Sequence, residues 1–125
     1  MKIGRFRRKP PDEIARPEGR EYPRLVLNLP IEYHAPNSGV TRTGYTFDLG
    51  AGGVMLNVPE RLKIGQQINM AIFFSSGPSI EAIKVNSQVV WVDAKEKEGS
   101  YRLGAKFVDL SPTDRSKLEK FFEKF

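Results

Sequence analysis

The feature that most constrains the fold of this chain is a hydrophobic alternation of period two, interrupted about every ten residues by glycine, proline or asparagine. Alternation places successive side chains on opposite faces of an extended chain, so each such run is a strand with one face to bury. Leu25, Leu27 and Leu29, continued by Ile31 and Tyr33, predict a first strand of about ten residues that ends near Asn37-Ser38-Gly39. Thr41–Asp48 forms the second, and Val54, Leu56 and Val58 line one face of the third, which Pro59 closes. Ile68, Met70, Ile72 and Phe74 mark the fourth, up to the turn signal Ser75-Ser76-Gly77-Pro78. Ile83 and Val85 lead into Val89-Val90-Trp91-Val92 as the fifth, and Tyr101, Leu103, Ala105 and Phe107 form the sixth. One helix is expected, over 112–124. Ser111 supplies its N-cap, Pro112 its first residue and Asp114 the acidic third position, while Leu118, Phe121, Phe122 and Phe125 make a single apolar stripe. The fold class is therefore all-β with one C-terminal helix. Closure into a six-stranded antiparallel β-barrel removes the edges that so short a sheet would otherwise expose.

With 125 residues the chain has material for one core. Its organisation is read as a basic, flexible N-terminal arm over 1–19, whose prolines Pro10, Pro11 and Pro17 disfavour a helix or central strand, followed by a barrel domain over 20–125. No apolar run approaches the roughly 18 residues of a bilayer span, and no apolar segment follows Arg5-Phe6-Arg7-Arg8-Lys9. A cytoplasmic protein without membrane insertion is expected, a monomer or weak dimer. There is no cysteine and a single histidine, His34, which is assigned no role. The carboxylates show neither a metal-binding spacing nor the partner of a Walker loop, so no enzyme activity, no metal and no cofactor are expected.

The net charge of +5 is uneven, because residues 1–24 hold eight of the twenty basic residues against four of the fifteen acids. A basic leader on a nearly neutral body points to an anionic partner or to a solubilising tail. Binding to nucleic acid is disfavoured, since Phe6 is the only aromatic among the charges of Arg5–Lys9 and stacking platforms are otherwise lacking there.

Two constellations suit an anionic, guanine-bearing ligand. Arg20-Glu21-Tyr22-Pro23-Arg24 sets two arginines about 13 Å apart in an extended chain, within reach of one ligand from two sides. Guanidinium forks bond phosphate oxygens or the O6/N7 edge of guanine in pairs and stack on bases. The same two residues also read as ordinary surface charge. In Asp48-Leu49-Gly50-Ala51-Gly52-Gly53, Asp48 offers two acceptor oxygens to a group with two adjacent donors, such as the Watson–Crick edge of guanine. Gly52 and Gly53 permit positive φ and close backbone approach. That segment reads equally as a glycine turn or bulge in which Asp48 bonds its own backbone.

In this order, an R-x-x-x-R linker, a first strand, a second strand ending in an Asp-x-x-x-x-Gly segment, further strands and a closing helix, the chain resembles the PilZ domain family, the bacterial receptors for cyclic di-GMP. Pro59, Leu62 and Gly65, and the late Gly104-Ala105-Lys106-Phe107, add to the resemblance, which spans about 20–124. It implies a six-stranded antiparallel barrel with the ligand on its outer surface. It also implies Arg20 and Arg24 at phosphates and guanine faces, Asp48 at a guanine edge and Gly53 as closing glycine. Gly50 stands where family members commonly have serine. One neutral hydrogen bond is worth about 1 kcal/mol, so its loss predicts roughly fivefold weaker binding rather than none. The function implied is a cyclic di-GMP receptor or adaptor that orders its arm on the ligand and signals to a downstream protein. The alternative is a degenerate member acting through ligand-independent protein contacts.

Overall fold

In a computed structural model, which describes residues 24–93 and 99–124, the alternating segments close into a barrel in which every neighbouring pair is antiparallel. The strands are β1 (Pro30–His34), β2 (Arg42–Leu49), β3 (Gly53–Val58), β4 (Gln67–Ser76), β5 (Ser79–Val92) and β6 (Tyr101–Asp109), followed by helix α1 (Pro112–Phe122). Around the barrel the order is β1-β2-β3-β6-β5-β4, and β1 returns to β4 with Ile31 opposite Ile72. The expected arm and the acidic and basic loop residues 94–98 lie outside the described residues, as does Phe125. No helix among the described residues is long and apolar enough to cross a membrane.

Inward positions carry the period-two residues. Ile31, Leu56, Ile72, Ile83, Val89 and Leu103 are all at most 1% exposed, and Leu118, Phe121 and Phe122 of α1 join the same core. An eleven-residue helix is marginal by itself, whereas burying each large apolar side chain contributes about 1.5–3 kcal/mol before entropy, so packing decides that α1 forms. Phe121 meets Phe74 of β4 with ring centroids 4.8 Å apart. The start of α1 is pinned as well. The Ser111 side chain caps the amide of Asp114, and Asp114 Oδ1 accepts from the Lys84 amide of β5 at 3.0 Å. Burial raises the Asp114 pKa, but the Lys84 amide, the Ser111 hydroxyl and the ammonium groups of Lys117 and Lys84 outweigh it, so the carboxyl is held below its ordinary range. The helix ends at Phe122, two residues before the expected limit, with Glu123 as C-cap.

Two strands depart from the expected bounds. β5 begins at Ser79 rather than near Ile83, because Gly77, at φ 62°, makes a two-residue turn with Pro78 and pairing resumes at once with Ser76 opposite Ser79. β1 is five residues, not ten. Leu25–Leu29 follows β2 without forming a regular ladder, since the Thr46 side chain takes the place of a backbone partner. Thr46 Oγ1 accepts from the Leu29 amide at 2.9 Å and donates to the Leu27 carbonyl. Asn28 Nδ2 donates to the Thr46 carbonyl at 3.0 Å, and Leu25 exchanges two backbone bonds of 2.8 Å with Leu49. This segment carries Arg24 to the end of β2.

Candidate functional site

Asp48 owes its position to one extra residue in β2. Thr46 pairs with Leu56 and Asp48 with Met55, so Phe47 is a bulge. Without it, Asp48 would share the face of Thr46, two residues away; the insertion turns it to the side of Met55, between the inward-facing Val54 and Leu56. That side is the outer wall of the barrel. Asp48 is nevertheless only 8% exposed, because Arg24 lies across it with Nε donating to Oδ1 at 2.8 Å.

Gly50 forms the floor of this contact. A Cβ at Gly50 would lie 2.6 Å from Arg24 Nη1, 3.2 Å from Cζ and 3.4 Å from Cγ, so the guanidinium rests on the bare Cα. Gly53 has a different part. The Gly50 amide donates to the Gly53 carbonyl at 2.9 Å, closing the hairpin around Ala51-Gly52. A Cβ at Gly53 would meet the Ala105 carbonyl oxygen at 2.7 Å and Lys106 Cα at 3.3 Å, both backbone of β6. The close approach allowed by Gly53 is thus between two strands. The positive φ that Gly52 and Gly53 permit is not used, since the described glycines with positive φ are Gly65, Gly77 and Gly99. Arg20 lies outside the described residues. Of the anticipated site, the structure brings together Arg24, Asp48 and Gly50.

A further residue escaped the sequence reading. β5 also carries a bulge, where Val89 pairs with Ala105 and Trp91 with Gly104, leaving Val90 extra. Trp91 thereby turns outward, with 36% of its surface exposed, and its ring lies over Gly104: Cε3 is 3.5 Å from where a Gly104 Cβ would be. The register then makes one outer row across four strands, Asp48, Met55, Gly104 and Trp91. At about 4.8 Å per strand, the Asp48 and Trp91 backbones lie about 14 Å apart measured along the wall. The row has an anion and a guanidinium at one end and an aromatic face at the other. Period two assigns Trp91 to the inner face of Val89, and an inserted residue leaves no compositional signal. The one available hint was a glycine in β6 where a side chain would cover a neighbour.

Beside this row, Arg102 stands 4.2 Å from the Phe47 ring centroid, which fixes the bulge residue on the same wall. His34 is placed away from the row, at 3.3 Å from Asn69 Nδ2. Among the described residues no group of three or more histidine, aspartate or glutamate side chains is gathered to hold a metal ion.

Fold and cluster together define a small closed β-barrel domain with one C-terminal helix and a polar and aromatic row on its outer wall. The chain belongs to the PilZ domain family, whose model matches residues 18–124. No curated protein matches it in sequence. Among solved structures it is similar to the inhibitor of motility MotI/DgrA of Bacillus subtilis (13% identity, TM-score 0.70, 84% of this chain and 50% of that one). It is also similar to YcgR of Escherichia coli in complex with c-di-GMP (18%, TM-score 0.64, 85% and 45%). A third is the PilZ domain of CeSA from a cellulose-synthesizing bacterium (14%, TM-score 0.59, 82% and 96%). The chain spans about half the length of the MotI/DgrA and YcgR chains.

Proposed function

We propose that this chain is a cyclic di-GMP receptor and adaptor, with the ligand seated on the outer row that runs from Asp48 to Trp91. The observation that carries the reading is the meeting of Arg24 and Asp48 at 2.8 Å over Gly50, on the outer wall and at the point where the linker joins the barrel. Family membership supports it, as do the similar structures of YcgR and of Klebsiella pneumoniae MrkH, which were solved with c-di-GMP.

Each residue has a chemical part. The Asp48 carboxylate accepts from the N1–H and N2–H donors of guanine, an arrangement adenine cannot match because its N1 is an acceptor. Arg24 moves to phosphate or to a guanine face, where its fork makes paired charge-assisted bonds. Trp91 gives a base a flat apolar surface; stacking on an aromatic is worth about 1–3 kcal/mol per base. Arg20, four residues before Arg24, closes on the ligand from the linker. Gly53 serves the site by keeping β3 against β6 rather than by touching ligand. Because residues from Arg24 onward are already bonded to β2, ordering on binding concerns the arm over 1–19 and the linker. The rearranged surface is then read by a downstream protein.

Calorimetric titration of the full chain tests the reading. Cyclic di-GMP is expected to bind saturably, and cyclic di-AMP to produce no heat of binding at the same concentrations. Heat from neither dinucleotide would return the chain to the reading of a ligand-independent interaction module, and equal heats from both would remove Asp48 from the guanine edge.

A further inference from the structure

Gly50 stands where the resemblance implies a lost hydroxyl and weaker binding. Its surroundings give it a positive part. Gly50 is buried, and the three atoms nearest to a Cβ built on it all belong to the Arg24 side chain, the closest at 2.6 Å. Its φ is outside the left-handed region, so the backbone itself does not call for glycine. What calls for glycine is the guanidinium above it. A side chain at this position would push against the far end of a flexible arginine, not against backbone, so Arg24 would yield and the hairpin would stay.

We infer that Gly50 is a positioning residue: its bare Cα is the seat that lets Arg24 reach Asp48, and the seated pair competes with the guanine edge for the Asp48 carboxylate. The inference rests on the cyclic di-GMP reading for its second half only. In the seated state Arg24 Nε–H bonds Asp48 Oδ1 and the side chain lies over the carboxylate, leaving Asp48 8% exposed, so guanine reaches both oxygens with its paired donors only when Arg24 moves aside. Ligand binding must part Arg24 from Asp48, so the free energy of that ion pair is subtracted from the affinity. For partly exposed pairs the amount corresponds to a factor of roughly two to five. Gly50 thereby sets the threshold at which the receptor responds.

The test uses Gly50→Ala, which adds the Cβ without adding a hydroxyl, and reads two quantities on the full chain. The first is the exchange of the Arg24 Nε proton with water, followed in nitrogen-15 NMR spectra without ligand. It is expected to be slow in the parent protein and fast in Gly50→Ala, with Asp48→Ala, which has no acceptor there, supplying the reference for an unpaired Arg24. The second is calorimetric affinity for cyclic di-GMP, expected to rise about two- to fivefold in Gly50→Ala. An Nε proton still protected in the variant overturns the seating, whether or not ligand binds. A released proton with unchanged or weaker affinity overturns the competition. Binding by neither protein overturns the receptor reading, and the competition with it, while the exchange measurement still decides the seating.

Discussion

Arg24→Ala is expected to weaken cyclic di-GMP binding by roughly 3- to 75-fold, the loss of one charge-assisted hydrogen bond of about 1.5–3 kcal/mol less the roughly two- to fivefold gained by freeing Asp48 from the ion pair. The expectation follows from placement as much as from charge. Arg24 is the described arginine adjoining Asp48, and its backbone is held at the end of β2 by the paired bonds of Leu25 and Leu49, so little ordering entropy is spent in presenting it. Arg24→Lys should fall between the parent and the alanine variant, since lysine retains the charge and loses the fork. Calorimetry on the three proteins, each checked for an unaltered far-ultraviolet circular dichroism spectrum, measures the series. Equal affinity throughout would mean that the ligand, if bound, is held elsewhere.

The largest effect on stability is expected at Gly53. Its Cβ would stand 2.7 Å from the Ala105 carbonyl oxygen and 3.3 Å from Lys106 Cα, and these atoms can retreat only by parting β3 from β6. That ladder is further tied by the Phe107 amide, which donates to the Gly52 carbonyl at 2.9 Å. Overpacking of this kind costs about 1–3 kcal/mol, so Gly53→Ala should lower the melting temperature by roughly 5–15 °C. The contrast with Gly50→Ala is instructive, since both substitutions add one methyl group within 2.7 Å of a neighbour. At Gly50 the neighbour is the tip of a movable side chain, and the melting temperature should change little. Similar melting temperatures for Gly53→Ala and the parent would show that β6 yields more readily than a paired strand should.

The alternation of Ile68, Met70, Ile72 and Phe74, or of Leu103 and Ala105, was legible because a barrel wall buries one face without interruption. The helix was legible because Ser111, Pro112 and Asp114 act locally, through a cap that needs no distant partner. Arg24 and Asp48 could be named as candidates from residue type. Their direct contact could not, since it depends on Phe47 being inserted into β2 and on Thr46 lending its hydroxyl to the Leu27–Leu29 segment. The same holds for Trp91, which reached the outer wall through the bulge at Val90. Bulges set which face a residue occupies, yet each is specified by pairing with another strand, and strict period two places the residues beyond them on the wrong side. Gly53 was read toward a ligand because glycine marks close approach without saying what approaches. Here it is the neighbouring strand.

Trp91 is the only tryptophan in the chain, so its emission reports on one end of the proposed seat without labelling. Titration with cyclic di-GMP should change that emission saturably, with the same midpoint as the calorimetric heat, and the change should be shifted to higher concentration in Arg24→Ala. Binding heat accompanied by constant Trp91 emission would contradict the outer row as the seat of the ligand.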